Sequence, residues 1–310
     1  MTRSSAAQVH APQAPATVIE DPQGLFSRNY NRVNFMFPHQ LAGSAMWELQ
    51  NLVALSRRMP DHRDTYWSNG KIAVNNSWES GQKDRLSLDE TLVNIEHNDS
   101  LVILKHTEQD PEYGPVLQQI LARIVELAGE QMRCDVTVGE VLILISSPNR
   151  VTPYHMDGET NFLLQVAGDK QFYVFDHTDR TLVTELELER FYAVSQALAK
   201  YRPERQVDAN AYDLRAGFGI HVPVNAPHWV QNHANVSVAL SVTYELRSIG
   251  RLTDLHRINR RLRLLGLRPS PPGTSAWRDE MKLAAYRAAR GLRKPPAVVR
   301  PYPVWTPPAA

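Results

Sequence analysis

The sequence predicts a mainly β protein with flanking helices, and three observations lead to that class. Short apolar segments recur between Cys134 and Leu246, and turn-forming residues separate them. Regular helices do not alternate with these segments, which argues for an antiparallel sandwich or barrel and against a doubly wound parallel sheet. Helical periodicity is found mainly in the regions before and after them.

The composition is that of an ordinary soluble globular protein and excludes several classes. The 310 residues are 43% hydrophobic and 22% charged with a net charge of +1, so no overall field favours nucleic acid or a membrane surface. The single cysteine, Cys134, excludes an intramolecular disulfide and a cysteine-based zinc cluster. The longest aliphatic runs are too short to span a bilayer, and the N-terminus has no apolar signal segment. We therefore expect a cytoplasmic protein without a membrane partner.

Two terminal arms and an N-terminal α/β region surround the predicted sheet. Residues 1–22 are rich in Ala, Pro, Gln and Ser, which is typical of a disordered arm. Apolar positions recur at helical spacing from Leu41 to Arg58 and from Glu112 to Gly129, and Leu101–Leu104 is a predicted strand. Six prolines within residues 295–310 prevent a helix there, so this segment is predicted to be a Pro-rich tail.

The predicted β core covers residues 134–246 of a domain that spans 23–246. Its strands are expected at Glu140–Ile145, Tyr154–Val166, Gln171–Phe175, Gly219–Val222 and Val236–Leu246. A helical insertion, Leu186–Tyr201, interrupts them. In the last strand, small and polar residues alternate with large apolar ones. One of its faces would pack in the core, and the other would line a hydroxyl-bearing cavity or face water at a sheet edge.

The segment 247–294 is basic and is predicted to form two helices. It contains 13 lysines and arginines against three acidic residues, so it carries +10 and the rest of the chain carries −9. The helices are expected at Leu252–Leu265 and Trp277–Leu292, because Pro269–Gly273 interrupts the pattern. A solvated face, an acidic partner or the acidic body of the same protein would each suit this charge. No nucleic-acid-binding motif accompanies it, so we expect no nucleic-acid partner.

The segment Thr152–Gln165 holds the residues that point to chemistry. His155 and Asp157 are two residues apart, so on a strand their side chains would leave the same face. A second histidine would complete a facial triad with open positions, the arrangement that suits non-haem Fe(II). His228, which follows a proline-containing turn, supplies it, and His221 is the alternative seven residues earlier. A lone His-x-Asp is more often a surface pair than a metal site. The surrounding sequence must therefore decide between the two.

Lys170 is the first part of that context. It lies 15 residues after His155, past a turn, among strongly apolar neighbours. An inward lysine there would need an anionic partner, because an unpaired buried ammonium is costly, and a dicarboxylate co-substrate would supply that anion. A surface lysine at a hairpin is an equally good interpretation of the position alone.

The whole pattern resembles the cupin-like, JmjC-type Fe(II)- and 2-oxoglutarate-dependent oxygenases, most closely the asparaginyl hydroxylase of hypoxia-inducible factor and its bacterial cupin-like relatives. The residues that carry the resemblance are Thr152, Pro153, His155, Asp157, Asn161, Phe162, Gln165, Gly168, Lys170, Pro223, His228 and Val230. It covers about residues 150–245 and implies a double-stranded β-helix, or jelly-roll, core with an N-terminal α/β elaboration and C-terminal helices.

The resemblance also implies roles for single residues. The implied Fe(II) ligands are His155, Asp157 and His228, and the implied 2-oxoglutarate contacts are Lys170, Thr152, Asn161 and Ser241. Lys170 would pair with the far carboxylate, with Thr152 as a helper, and Asn161 would contact the end near the metal. The family often has an asparagine on the last core strand, where this sequence offers Ser241 or Thr243. That difference leaves the contacts on this strand, and the identity of the keto acid, open.

The function implied is a 2-oxoglutarate-dependent dioxygenase that uses O₂ to hydroxylate an amino-acid side chain of a protein or peptide. On an N-methyl group the same chemistry would end in demethylation. The alternatives are a non-catalytic cupin-like module that binds a metal or small molecule, and a protein whose basic tail binds an acidic partner. A complete set of ligands and lysine argues against the module. Relatives often pair through C-terminal helices, so we also expect a homodimer.

Overall fold

The computed structural model describes residues 18–59, 65–76, 86–194, 200–291 and 305–307. The strands are β1 (Phe35–Pro38), β2 (Tyr66–Ser68), β3 (Leu101–Leu104), β4 (Val136–Ser146), β5 (Val151–His155), β6 (Thr160–Ala167), β7 (Asp169–Val174), β8 (Asn210–Arg215), β9 (Phe218–Val222), β10 (His228–Asn232) and β11 (Ser237–Leu246). The helices are α1 (Leu25–Asn29), α2 (Leu49–Arg58), α3 (Leu88–Val93), α4 (Gly114–Ala128), α5 (Glu130–Asp135), α6 (Glu185–Ala193), α7 (Arg247–Leu264) and α8 (Ala276–Gly291).

The strands form two antiparallel sheets that build a jelly-roll core, as predicted. The larger sheet has the order β1-β9-β6-β11-β4-β3-β2, and the smaller has the order β5-β10-β7-β8. From β4 to β11 the chain changes sheet at every connection except β7 to β8, which pair with each other. The fold is therefore a double-stranded β-helix with flanking helices, and the space between its sheets is enclosed by residues from both.

The main hydrophobic core lies on the outer face of the larger sheet, against the N-terminal helices. Tyr244 of β11 is fully buried there, and its hydroxyl donates to the carbonyl of Leu121 in α4 at 2.8 Å. The small residues that alternate along β11, including Ala239 and Ser241, are buried on the opposite face, towards the smaller sheet. The structure therefore places this face in the interior between the two sheets and excludes an edge facing water.

Several element boundaries differ from the prediction. The strand expected at Tyr154–Val166 is two strands, β5 and β6, in different sheets. The helix expected from Leu41 begins only at Leu49, because Glu48 is extended after a short 3₁₀ turn at Ala45–Trp47. Strands β8 and β10 were not predicted, because polar residues interrupt the apolar pattern in both, including the buried His228 and Asn232 of β10.

The termini and the cysteine also show differences. Val18 and Ile19, predicted to lie in the arm 1–22, are buried in the main core, while residues 1–17 lie outside the described part. Of the tail, Trp305 packs on Tyr244 with ring centroids 6.1 Å apart, and residues 292–304 are not described. Cys134 belongs to α5 and is exposed, so the core begins at Val136 rather than at residue 134. None of the described helices combines the length and apolar character that crossing a bilayer requires.

Candidate metal centre

The ends of two neighbouring strands bring both predicted histidines together with the predicted aspartate. His155 closes β5 directly opposite His228, the first residue of β10, and their ring centroids are 4.1 Å apart. Asp157 lies just past the end of β5. Its Oδ2 is 4.0 Å from Nε2 of His155 and 3.7 Å from Nε2 of His228. One ligand atom from each residue thus converges on a common point, with all separations within 4.8 Å.

Backbone carbonyls orient the two imidazole rings. Nδ1 of His155 lies 2.7 Å from the carbonyl of Pro153, and Nδ1 of His228 lies 3.0 Å from that of Ala226. Because a carbonyl only accepts, each Nδ1 carries the proton and each Nε2 presents a lone pair, the tautomer that binds metals. Burial, and then the proximity of His155, lower the pKa of His228 well below its usual value, which keeps that ring neutral near pH 7.

A β-bulge sets which side chains of β5 face inward. His155 is opposite His228 and Thr152 is opposite Val230, so β5 uses three residue steps where β10 uses two. Directly opposed residues of an antiparallel pair share a face. Thr152 therefore faces the space between the sheets together with His155, although an odd spacing would separate them on a regular strand. Pro153, which has no backbone N–H, suits the irregularity.

Lys170 is buried on the inner face of β7. It is 4% exposed and alternates with inward Phe172 and Val174, and Val174 is paired with His228. Burial alone lowers the pKa of Lys170 to about 7. No carboxylate of the described residues forms a salt bridge with this ammonium group. The structure thus favours the inward position over the surface hairpin that the sequence left open.

Asn161 and Ser241 meet on the inner face of the larger sheet. The Asn161 side chain donates from Nδ2 to Oγ of Ser241 at 2.7 Å, and both residues are buried. Oδ1 of Asn161 is buried and has no hydrogen-bond partner among the described residues. The two residues expected to contact the co-substrate from this sheet are therefore joined, and one buried acceptor remains available.

His221, the alternative ligand, points away from this space. Its ring stacks on Phe162 in the main core at 4.3 Å between centroids, and its Nε2 accepts the backbone N–H of Asn31 at 3.0 Å. Its Nδ1 lies 3.0 Å from the carbonyl of Asn161. Both ring nitrogens are thus engaged in the core, which leaves His228 as the ligand candidate.

A second group of possible ligands, which the sequence analysis missed, lies near the surface. Asp169, Asp213 and His233 converge there. His233 already pairs with Asp169 at 3.2 Å, and Arg215 pairs with Asp213 at 2.6 Å. Because the side chains of this group are already engaged in these pairs, the first triad is the better metal site.

A cavity of about 740 Å³ begins at Gly158 and Glu159, the two residues that follow Asp157. Tyr192 of α6 and Arg257 of α7 contribute to its wall. Burial, and then the negative charge of Asp157, raise the pKa of Glu159 to about 7. The sequence did not predict this cavity, because its walls come from helices that are distant from the motif along the chain.

Comparison with known proteins shows similarity at the level of the fold. No protein-family model matches the chain, and no curated protein matches it. The X-ray structure of E. coli YcfD superposes with a TM-score of 0.52 and 12% identity, covering 90% of this chain and 70% of that one. The structure of YcfD, a ribosomal oxygenase from E. coli, in complex with cobalt and 2-oxoglutarate gives a TM-score of 0.47 and 14% identity, over 87% and 66% of the two chains. At 12% identity, the superposition on the first of these structures shows a similar fold.

Proposed function

We propose that the protein is an Fe(II)- and 2-oxoglutarate-dependent oxygenase that hydroxylates an amino-acid side chain of a protein or peptide. One observation carries the proposal: two oriented imidazoles and a carboxylate converge at one end of the interior between the sheets, and Lys170 is buried in the same interior with no anionic partner among the described residues. A metal would satisfy the first group and a dicarboxylate the second.

The donor set fits Fe(II). His155, Asp157 and His228 would hold the ion as a two-histidine, one-carboxylate set that leaves positions open, as non-haem Fe(II) requires. When bound, the iron and the keto acid supply the oxidising chemistry with O₂. The chain holds the two rings in the required tautomer through the carbonyls of Pro153 and Ala226.

The inner faces of both sheets fit 2-oxoglutarate. Lys170 would pair with the far carboxylate, and Thr152 lies on the same side of the smaller sheet to donate from its hydroxyl. Asn161 can turn its amide over, because the hydroxyl of Ser241 donates as well as accepts. Its Nδ2 would then face the keto acid and its Oδ1 would gain a partner.

The apolar residues between the sheets support the same arrangement. Phe172, Val174 and Ile220 are each at most 3% exposed and lie between the two polar ends of the space. Apolar walls exclude water, so a charge pair at Lys170 would be stronger there than at the surface.

We further propose that the protein acts in the cytoplasm as a homodimer formed through α7 and α8. The exposed thiol of Cys134 suits a reducing compartment. A groove of about 660 Å³ between the two helices, with Leu267, Trp277 and Met281 more than half exposed, supports the dimer. Large exposed apolar patches mark interaction surfaces.

Anaerobic titration with Fe(II), followed by 2-oxoglutarate and air, tests the proposed reaction. We expect one iron per chain and release of succinate, since 2-oxoglutarate oxygenases turn over slowly without their main substrate. His155→Ala should lose iron and succinate release together, because it removes a ligand. His233→Ala, in the surface group, should retain both.

The outcomes separate the competing functions. Iron uptake by the wild type without any succinate would indicate a module that only binds metal. Iron binding that survives His155→Ala and is lost in His233→Ala would place the metal at the surface group and refute the proposed centre.

A further inference from the structure

We propose that Tyr192 and Asn225 are positioning residues of the metal centre. They form a hydrogen-bonded pair that ties the loop carrying Asp157 to the turn before His228 and anchors both on the helices α6 and α7. The inference rests on the proposed metal site, but it concerns metal affinity and ligand geometry rather than turnover.

Asn225 connects the turn before His228 to the loop carrying Asp157 through its backbone. It lies three residues before His228, between β9 and β10, and its N–H donates to the carbonyl of Asp157 at 2.9 Å. Its φ of 61° is in the left-handed region, which asparagine tolerates better than most residues. This conformation is part of the turn in which the N–H of Asn225 meets Asp157. The turn before His228 and the loop carrying Asp157 therefore constrain each other directly.

Tyr192 holds the side chain of Asn225. The tyrosine hydroxyl donates to Oδ1 of Asn225 at 2.7 Å, and both residues are buried. A buried amide oxygen that loses its donor pays a desolvation penalty, so the loop would move to regain a partner. The hydroxyl thus stabilises the one loop conformation in which Asn225 also reaches Asp157.

The helix α7 keeps Tyr192 in place. The ring of His256 stacks on Tyr192 with centroids 5.3 Å apart, and Nε of Arg257 donates to the Tyr192 carbonyl at 2.9 Å. Arg263 donates to both carboxylate oxygens of buried Glu189, also in α6, at 2.9 Å. The basic helix α7 and the helix α6 therefore together fix the side chain of Tyr192, which reaches Asn225 in the turn before His228.

The expected effect is on the metal. Residues that orient ligands from outside the coordination sphere typically contribute about 10- to 100-fold to metal affinity. Tyr192 acts through Asn225, so its hydroxyl should affect how tightly and in what geometry Asp157 and His228 bind an ion.

Anaerobic titration with Co(II), followed by its visible absorption, tests the pair. Tyr192→Phe removes one hydroxyl and keeps the stacked ring, and we expect the Co(II) Kd to rise about tenfold with an altered spectrum. Asn225→Gly keeps the backbone N–H and the left-handed φ but removes the amide, and should weaken binding similarly. Because the two residues share one bond, the double variant should be no worse than the weaker-binding single variant.

Tyr113→Phe is the matched control. It also removes a buried tyrosine hydroxyl, which donates to the carbonyl of Met46 at 2.6 Å in the main core. It should lose a similar amount of thermal stability and keep the wild-type Co(II) Kd and spectrum. An equal loss of Co(II) affinity in this control would show a general stability effect and overturn the proposal.

The remaining outcomes distinguish this inference from the metal centre itself. If His155→Ala abolishes Co(II) binding while Tyr192→Phe and Asn225→Gly bind as the wild type does, the centre stands and the positioning role is wrong. If His155→Ala binds Co(II) normally, the centre is elsewhere and both proposals fail.

Discussion

Lys170 shows how position alone changes the chemistry of a residue. Burial lowers its pKa from 10.5 to about 7. At pH values between about 7 and 10.5, Lys170 keeps its proton in the unfolded chain and has released it in the folded chain. The unfolded state therefore binds more protons in this range. The free energy of unfolding of the ligand-free protein therefore rises with pH across this window. Below pH 7 both states are protonated, and the full cost of the buried charge is present.

We expect Lys170→Met to remove this pH dependence. The variant should be more stable than the wild type at pH 6, and its advantage should shrink by on the order of 4 kcal/mol as the pH rises to 10. Urea unfolding at several pH values measures the free energy of unfolding of both proteins. If that free energy changes with pH in the same way for both, Lys170 is not a buried ammonium without a partner.

Added 2-oxoglutarate provides the control for this prediction. It should raise the Tm of iron-loaded wild type and leave that of iron-loaded Lys170→Met nearly unchanged, because the variant keeps the ligands and lacks only the distal charge.

At the scale of elements, the connection between β6 and β7 decides where Lys170 is placed. These strands belong to different sheets, and the chain turns between them at Gly168. Gly168 has a φ of 70°, and a Cβ there would overlap Oδ1 of Asn235 and the carbonyl of Val236. Only glycine suits this corner, since the φ and the contacts both exclude a side chain.

We expect Gly168→Ala to lower the free energy of unfolding by about 3 kcal/mol, from backbone strain and overpacking together. Gly43→Ala is its control, because Gly43 has a φ of 79° and no atom within 4 Å of a Cβ. That variant should show the strain alone, about 1 kcal/mol. Chemical denaturation compares them, and equal losses would show that the corner has room for a methyl group.

The whole molecule separates charge between its parts. The C-terminal segment 247–294 carries +10 and the remainder −9. Arg263 joins the two parts through its ion pair with Glu189, whose side chain is 2% exposed. The basic helices are thus packed on the acidic body by α7, while the groove between α7 and α8 stays exposed.

If this groove is a dimer interface, Trp277→Glu should convert a dimer to a monomer without loss of iron. Trp277 is 62% exposed, and a carboxylate placed in an apolar interface would be costly. Sedimentation velocity reports the mass. Val207→Glu, at an 88% exposed valine outside these helices, should remain dimeric. A monomeric wild type at micromolar concentration would refute the dimer.

Local pattern was sufficient for much of the fold and for part of the site. The alternation along Val236–Leu246 predicted a strand with one core face and left the other face open, and the structure confirms the core face and buries the other face towards the smaller sheet. His155 and Asp157 were recognised together because two residues of spacing put them near one another whatever the rest of the chain does. Many short strands without regular intervening helices predicted an antiparallel sandwich or barrel. The resemblance to the cupin-like oxygenases narrowed this prediction to a jelly roll.

By itself, then, the sequence determined the fold class, the β core and the residues that could form a metal centre. The resemblance already favoured His228 over His221, but only the tertiary structure shows that His221 is engaged in the main core, that a bulge turns Thr152 inward, and that Tyr192 reaches Asn225. Each of these depends on how distant segments pair and pack. Periodicity describes one segment at a time, so it cannot specify which face of a strand meets a partner that lies tens of residues away.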